Sequence, residues 1–279
     1  MVTSRRTIGG ELLFEGVGIH SGERSSVRMS PLLDGSGIRF KFGETSYRIE
    51  EAASVESRRN TELLFPNGRI LRTVEHMLAA VAGVGLDDVL IEADGAEVPI
   101  LDGSALPFAR GILDTGFAIK NERRVFAPLG VPVCIDSGKS SITAIPSDEL
   151  RVTYVIDYPG TAIGTEMKDV VVNEDTFMSE IAPARTFGLL SEVEELQKSG
   201  LGLGGNLDNV MIIGDGGPLN TVGYKIESEC AAHKIADLLG DLAAAGGIVR
   251  AHYVCVCGGH WLHAKLALRL RGLAGTNDE

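Results

Sequence analysis

The chain has 279 residues, of which 44% are hydrophobic and 23% charged, an ordinary balance for a globular protein large enough to bury a real core. Its formal charge of -12 argues against a general nucleic-acid binder, because phosphate neutralisation needs clustered Lys and Arg. A phosphate-bearing small ligand needs only one or two local cations and stays open.

The opening stretch, MVTSRRTIGGELLFEG, is basic at first but has no continuous apolar run and no small-residue cleavage site. The best apolar run, residues 77–86, is broken by glycines and too short to span a bilayer, so a cytoplasmic protein is expected. Residues 19–31, IHSGERSSVRMSP, are echoed with one gap by residues 135–147, IDSGKSSITAIPS. Each copy sets Ser-Gly in a turn between β-branched stretches, which predicts a hairpin. Helical periods follow each copy, over 73–83 and 103–113 in the first half and over 229–245 and 260–270 in the second. The echo predicts two α+β units of similar plan, 1–122 and 123–279, divided where NERR (residues 121–124) interrupts the apolar pattern.

In TVEHMLAAVAGVG, residues 73–85, Thr73 is the expected N-cap and Glu75 suits the first turn. Beyond His76 this helix is apolar nearly all round, and such a helix is buried. Glu75 and His76 are then the ionisable groups at its mouth, read either as a cap beside a core histidine or as chemistry. Residues 189–198 have a helical period, and GLGLGG at 200–205 is either a flexible connection or a place where backbone approaches a ligand.

In AAHKIADLLGDL, residues 231–242, His233, Asp237 and Asp241 recur every four residues, opposite a stripe of Ile235, Leu238, Leu239 and Leu242. The polar stripe is either a solvated face or a ligand set. YVCVC at 253–257 reads as a strand with alternate residues buried. Cys255 and Cys257 with His260 and His263 also raise a zinc site, but burial in a strand accounts for the cysteines more simply. With Cys134 and Cys230, they are expected to be reduced thiols. Gly258-Gly259 ends that strand and His260 begins a helix, where it faces a cleft as a candidate proton donor. His263, one turn on, is expected at the surface, and Asp241 is a candidate to orient and charge His260. His76, His233 and Asp237 together would supply three ligands with an open position, the pattern of a catalytic zinc site, and Glu75 could then act on water.

Seven blocks, FEGVGIHSGE (14–23), RTVEHMLAAVAGVG (72–85), EVPILDGSALPF (97–108), ARTFG (184–188), GLGLGGNLDN (200–209), HKIADLLGD (233–241) and GGHWLHAKL (258–266), resemble the zinc-dependent UDP-3-O-acyl-N-acetylglucosamine deacetylases of lipid A synthesis. The resemblance covers nearly the whole chain. It implies an α+β fold of two related sheet-and-helix domains packed as a β-α-α-β sandwich, each with an insert. It implies Zn2+ on His76, His233 and Asp237, Glu75 as general base, and His260 supported by Asp241. Thr186 would hydrogen-bond the reacting carbonyl, Lys234 would meet a substrate phosphate and Phe187 would line the nucleotide side. His20 and Gly204 are further implied substrate contacts, and the insert at about 187–213 would hold the fatty acyl chain. The implied partner is a UDP-linked acylated glucosamine, with no nucleic acid and transient contact with the inner membrane surface. A dehydratase of the kind fused to this family would need an extra domain. A non-catalytic nucleotide-sugar-binding paralogue would need a lost ligand or base. The chain departs from the family pattern at Ala232 (often Arg), at His263 (usually Asn) and over SRRNT at 57–61.

Overall fold

The computed structural model describes residues 2–55, 59–125, 129–246 and 248–274. In the first half, β1 (Val2–Ile8), β2 (Leu12–Val17) and β3 (Arg24–Pro31) lead to β4 (Ile38–Phe42) and β5 (Thr45–Arg48). Three short strands come next, β6 (Ala53–Val55), β7 (Glu62–Leu64) and β8 (Ile70–Arg72). They are followed by α1 (Glu75–Gly83), β9 (Val89–Asp94), α2 (Leu106–Thr115) and β10 (Phe117–Val125). The second half begins with β11 (Val133–Asp136), β12 (Ser141–Pro146), β13 (Arg151–Tyr158) and β14 (Gly164–Val171). A single helical turn, α3 (Glu174–Thr176), precedes β15 (Phe187–Leu189), α4 (Leu190–Lys198), β16 (Met211–Gly214) and β17 (Gly217–Pro218). Then come α5 (Glu229–Ala244), β18 (Ala251–Val256) and α6 (His260–Ala274).

The echo at 19–31 and 135–147 is the trace of a duplicated plan. One sheet has the order β2-β3-β9-β4-β5 and the other β11-β12-β18-β13-β14. In each, the third and fourth strands are the parallel pair and all other neighbours are antiparallel. Each third strand has a helix before and after it, α1 and α2 around β9, α5 and α6 around β18. Alternation decides which strand face is inward: Val27 and Met29 of β3, and Val152, Tyr154 and Ile156 of β13, are buried while Arg24, Arg28, Arg151 and Asp157 are exposed. The helices fill the space between the sheets, with α1 lying along α5. The fold is therefore a mixed α+β sandwich. No helix among the described residues is long and apolar enough to cross a membrane.

Three details differ from the sequence reading. Thr73 is not an N-cap: Val74 holds that position, and Thr73 sits at φ 56° with its hydroxyl turned to Glu97. The second helix begins at Leu106 rather than 103, because Asp102 folds 102–104 into a turn by accepting from the Ser104 N–H and hydroxyl. Residues 120–124 do not break the pattern but lie within β10, which pairs antiparallel with β1. We propose the division 1–122 and 123–279 on the duplicated sheets and helices; strand pairing crosses it.

α1 and α5 are buried almost throughout, with Ala82 and Lys234 the partial exceptions. Small residues let them approach. A Cβ on Gly240 would fall on the backbone of Glu75, and one on Gly83 would meet the Phe177 ring. A Gly240→Ala protein should therefore lose about 1–3 kcal/mol of stability by overpacking. On an open helix the same change would gain about 1 kcal/mol. An equal or higher urea midpoint would show that the helices have room to part.

Candidate metal centre

α5 carries His233, Asp237 and Asp241 one turn apart, and α1 sets His76 opposite them. His233 Nε2 lies 3.3 Å from Asp237 Oδ1, and His76 Nε2 lies 3.8 Å from the same oxygen. The two imidazoles meet edge to face with centroids 5.0 Å apart. The three side chains present ligand atoms within 4.8 Å of one another, all of them buried. The stripe on α5 is thus no solvated face. It is sealed because α1 covers the side that the sheet leaves open.

Among the described residues, two buried side-chain polar atoms have no hydrogen-bond partner, His76 Nδ1 and Asp237 Oδ1. An unsatisfied buried carboxylate oxygen is expensive, and this one stands before two imidazole nitrogens. His233 Nδ1 donates to the Ala184 carbonyl at 3.2 Å, which leaves the Nε2 lone pair directed toward Asp237. Burial, reinforced by the neighbouring His233, pushes His76 down to about 3. Burial also lowers His233, against the raising influence of Asp237. Burial opposes ionisation of Asp237, yet His233, Lys234 and His260 facing it hold its carboxyl well below the usual range. Two neutral imidazoles and one carboxylate are a donor set that fits a divalent cation of borderline softness.

Two titratable groups flank this set. Glu75 Oε2 accepts the Thr61 N–H at 3.0 Å. Burial drives the Glu75 pKa up to about 8, opposed by His260 and helped by the Asp241 and Asp237 charges. His260 Nδ1 lies 2.9 Å from Asp241 Oδ2, and its Nε2 lies 3.9 Å from Asp237 Oδ2. Burial alone would lower this histidine, but Asp241 and Asp237 outweigh it and raise the pKa to about 9.

The remaining sequence-predicted residues fall into two groups. Lys234 Nζ donates to Asp237 Oδ2 at 2.8 Å and lies 5.6 Å from the Phe187 ring centroid, and Phe187 meets His233 at 6.1 Å. Thr186 stands between Phe187 and Arg185, its N–H donating to the Gly103 carbonyl at 2.7 Å. His20 and Gly204 meet each other's segments instead. His20 Nδ1 accepts from the Gly202 N–H at 3.4 Å, and the Gly204 N–H donates to the Ile19 carbonyl at 3.0 Å. A Cβ on Gly204 would strike the Gly18 carbonyl, so backbone does approach closely here, against protein rather than in open space.

Two expectations are corrected or sharpened. His263 is not at the surface but wholly buried, because it shares the inward face of α6 with His260. Cys255 is buried in β18 and Cys257 is half-buried, and neither joins a ligand group among the described residues. Of the SRRNT segment, Ser57 and Arg58 lie outside the described residues, while Thr61 is central: its hydroxyl donates to Asp241 Oδ1. Ala232 is a buried residue of α5.

One carboxylate escaped the sequence reading. Glu97 is buried and accepts from the His20 N–H (2.9 Å), the Ser21 N–H (2.9 Å), the Ser21 hydroxyl (2.7 Å) and the Thr73 hydroxyl (2.9 Å). It joins the turn at 18–23 to the strained residue just before α1. An acid beside the apolar run Val98, Pro99 and Ile100 was the available signal.

Residues 5–271 match the model of the LpxC family, described as UDP-3-O-acyl N-acetylglycosamine deacetylase. The chain belongs to this family. Relatives named UDP-3-O-acyl-N-acetylglucosamine deacetylase bear this out. The protein of Syntrophotalea carbinolica is 35% identical, over 95% of this chain and 86% of its own. That of Thermosynechococcus vestitus is 38% identical over 96% and 94%, and that of Trichormus variabilis 38% over 97% and 99%. The cluster on α1 and α5 therefore lies in a deacetylase-family fold spanned from end to end.

Glu97 also carries a pH signature. Burial alone would raise it, but the donors from His20, Ser21 and Thr73 prevail and hold it below its ordinary 4.5. Its contribution to stability is then present above the unfolded value and is lost as pH falls through the lower folded value. Urea titrations of wild type and Glu97→Gln should show a stability gap at pH 6 that narrows below about pH 4. A gap that stays constant or widens on acidification would contradict this account.

Proposed function

We propose that this chain is a cytoplasmic zinc-dependent amidohydrolase. It would remove the N-acetyl group of UDP-3-O-(3-hydroxyacyl)-N-acetylglucosamine and release acetate, the committed step of lipid A biosynthesis. The observation that carries this reading is the unpartnered Asp237 oxygen facing two neutral imidazoles, with Glu75 and His260 alongside, in a member of the deacetylase family.

His76, His233 and Asp237 would hold the zinc, which when bound supplies a Lewis acid for the acetyl carbonyl and brings water toward a pKa of about 7. Glu75, fixed by the Thr61 N–H, takes the proton of the attacking water. His260 keeps its Nδ1 on Asp241, so its Nε2 edge is the one available to the substrate. In its cationic form it supports the developing oxyanion or protonates the departing amine. Thr186 donates to the same oxygen. Lys234 and Phe187, side by side at the edge of the cluster, suit a phosphate and a nucleotide ring, and His20 and Gly204 would border the substrate.

The insert at about 187–213 would take the acyl chain. In its favour, Leu190, Leu203 and Leu207 are exposed there. The same side chains suit transient contact with the inner membrane surface. Nothing in the charge balance favours nucleic acid.

Purified protein should carry one zinc per chain, and His76→Ala, His233→Ala and Asp237→Ala should each lower metal content and acetate release together. Full activity after exhaustive chelation would sink the metal reading. Glu75→Gln keeps the shape of the side chain, so zinc should stay bound while turnover falls about 10²–10⁴-fold. An unchanged rate in a fully metallated Glu75→Gln protein would assign the proton to another group.

A further inference from the structure

We propose that His263, braced by Tyr154, is a positioning residue that fixes the Asp241 carboxylate against His260. Asp241 receives three donors. The Thr61 hydroxyl donates to Oδ1, while His260 Nδ1 and His263 Nδ1 lie 2.9 Å and 2.8 Å from Oδ2. Two imidazoles on one carboxylate oxygen fix its rotation more firmly than either alone, since turning the carboxyl breaks both bonds together.

The polarity of this array follows from its chemistry. An ionised carboxylate only accepts, so His263 must present Nδ1–H to it. A neutral ring then has a lone pair on Nε2, and the Tyr154 hydroxyl, 3.0 Å away, donates there. Burial lowers His263 and raises Tyr154 well above its usual value, consistent with a neutral ring and an intact phenol. Tyr154, His263 and Asp241 thus form one directed line of hydrogen bonds ending at the partner of His260, and His263 and Tyr154 are wholly buried.

Packing leaves this line no slack. A Cβ on Gly258 would collide with the Cys255 sulfur and stand 2.9 Å from the Tyr154 hydroxyl and 3.4 Å from His263 Nε2. Gly258, two residues before His260, is therefore required by the same array that orients His260. Asp241, His260 and His263 also lie close enough to suggest a second cation cluster. Their facing atoms are already committed to one another by hydrogen bonds, which makes the group a brace.

The inference rests on the proposed role of His260, and the test separates the two. It uses zinc-loaded full-length protein, with metal content checked for each variant. His263→Leu, which cannot donate, should lower kcat about 10–100-fold, the usual cost of removing an outer partner of a site residue. KM should stay within about twofold and zinc at one per chain. His263→Asn, which retains a donor near the Nδ1 position, should recover most of the loss. Tyr154→Phe, which leaves the ring but removes its brace, should lose kcat by a smaller factor. Proton NMR with ¹⁵N-histidine should show two low-field Nδ1–H signals in wild type. Both should vanish in Asp241→Asn, and the His260 signal should move in His263→Leu. If His263→Leu does not fold, Tyr154→Phe and the wild-type spectrum decide: an unchanged kcat with no second low-field signal overturns the proposal. Wild-type kcat in His263→Leu, with His260→Ala impaired, also overturns it. Wild-type kcat in His260→Ala would instead remove the role of His260. The shift of the His260 signal in His263→Leu would then support the brace, and an unmoved signal would overturn it.

Discussion

The structure depends on how closely two helices cross. Gly240 of α5 rests on the backbone of Glu75 at the first residue of α1, where even a methyl group would not fit. That contact lies one residue from His76, one from Asp241 and one turn from Asp237. The spacing of the candidate metal ligands is therefore set by backbone packing, not by the side chains' attraction for one another. Ala79, Ala80 and Ala236 keep the rest of the neighbouring surfaces small and buried.

Such a crossing encloses many ionisable groups: Glu75, His76, His233, Asp237, Asp241, His260 and His263 are all buried. Each would be costly alone. They persist because they are divided into two sets with different solutions. Asp241 is satisfied within the protein, by Thr61, His260 and His263. Asp237 is not: Lys234 satisfies one oxygen and the other has no protein partner. A group that the fold leaves unsatisfied, next to one that it satisfies completely, is what supports the proposed cation site.

Around this centre, two further buried carboxylates act as fasteners. Glu97 gathers the 18–23 turn and Thr73. Glu229 accepts from the Arg185 N–H and guanidinium, with Nε at 2.7 Å, at the base of α5. That pair holds the segment whose Ala184 carbonyl anchors His233 and which leads into Thr186 and Phe187. Each fastener bonds backbone as well as side chains, so it fixes loops rather than adding surface charge. Arg185 and Glu229 are nearly inaccessible, so this pair acts by leaving no buried donor or acceptor unmatched.

The elements and the candidate ligands were legible in the chain because both follow local periodicities. A period of 3.6 placed His233, Asp237 and Asp241 on one stripe and made α1 apolar all round; a period of 2 placed Cys255 inward on β18. The hairpin echo was legible because turn chemistry repeats with the fold. What local pattern could not decide was which faces another element would cover. His263 read as surface because its own helix does not reveal Asp241 and Tyr154 on neighbouring elements. Thr73 read as an N-cap because nothing nearby in the chain shows Glu97 drawing its hydroxyl away at a left-handed φ. Residues 120–124 read as a break because a strand that pairs with residues at the far end of its half carries no sign of that partner in its own composition. Sequence set the candidate ligands' identity and spacing along each helix; the crossing of α1 with α5, a contact between distant residues, decided that they meet.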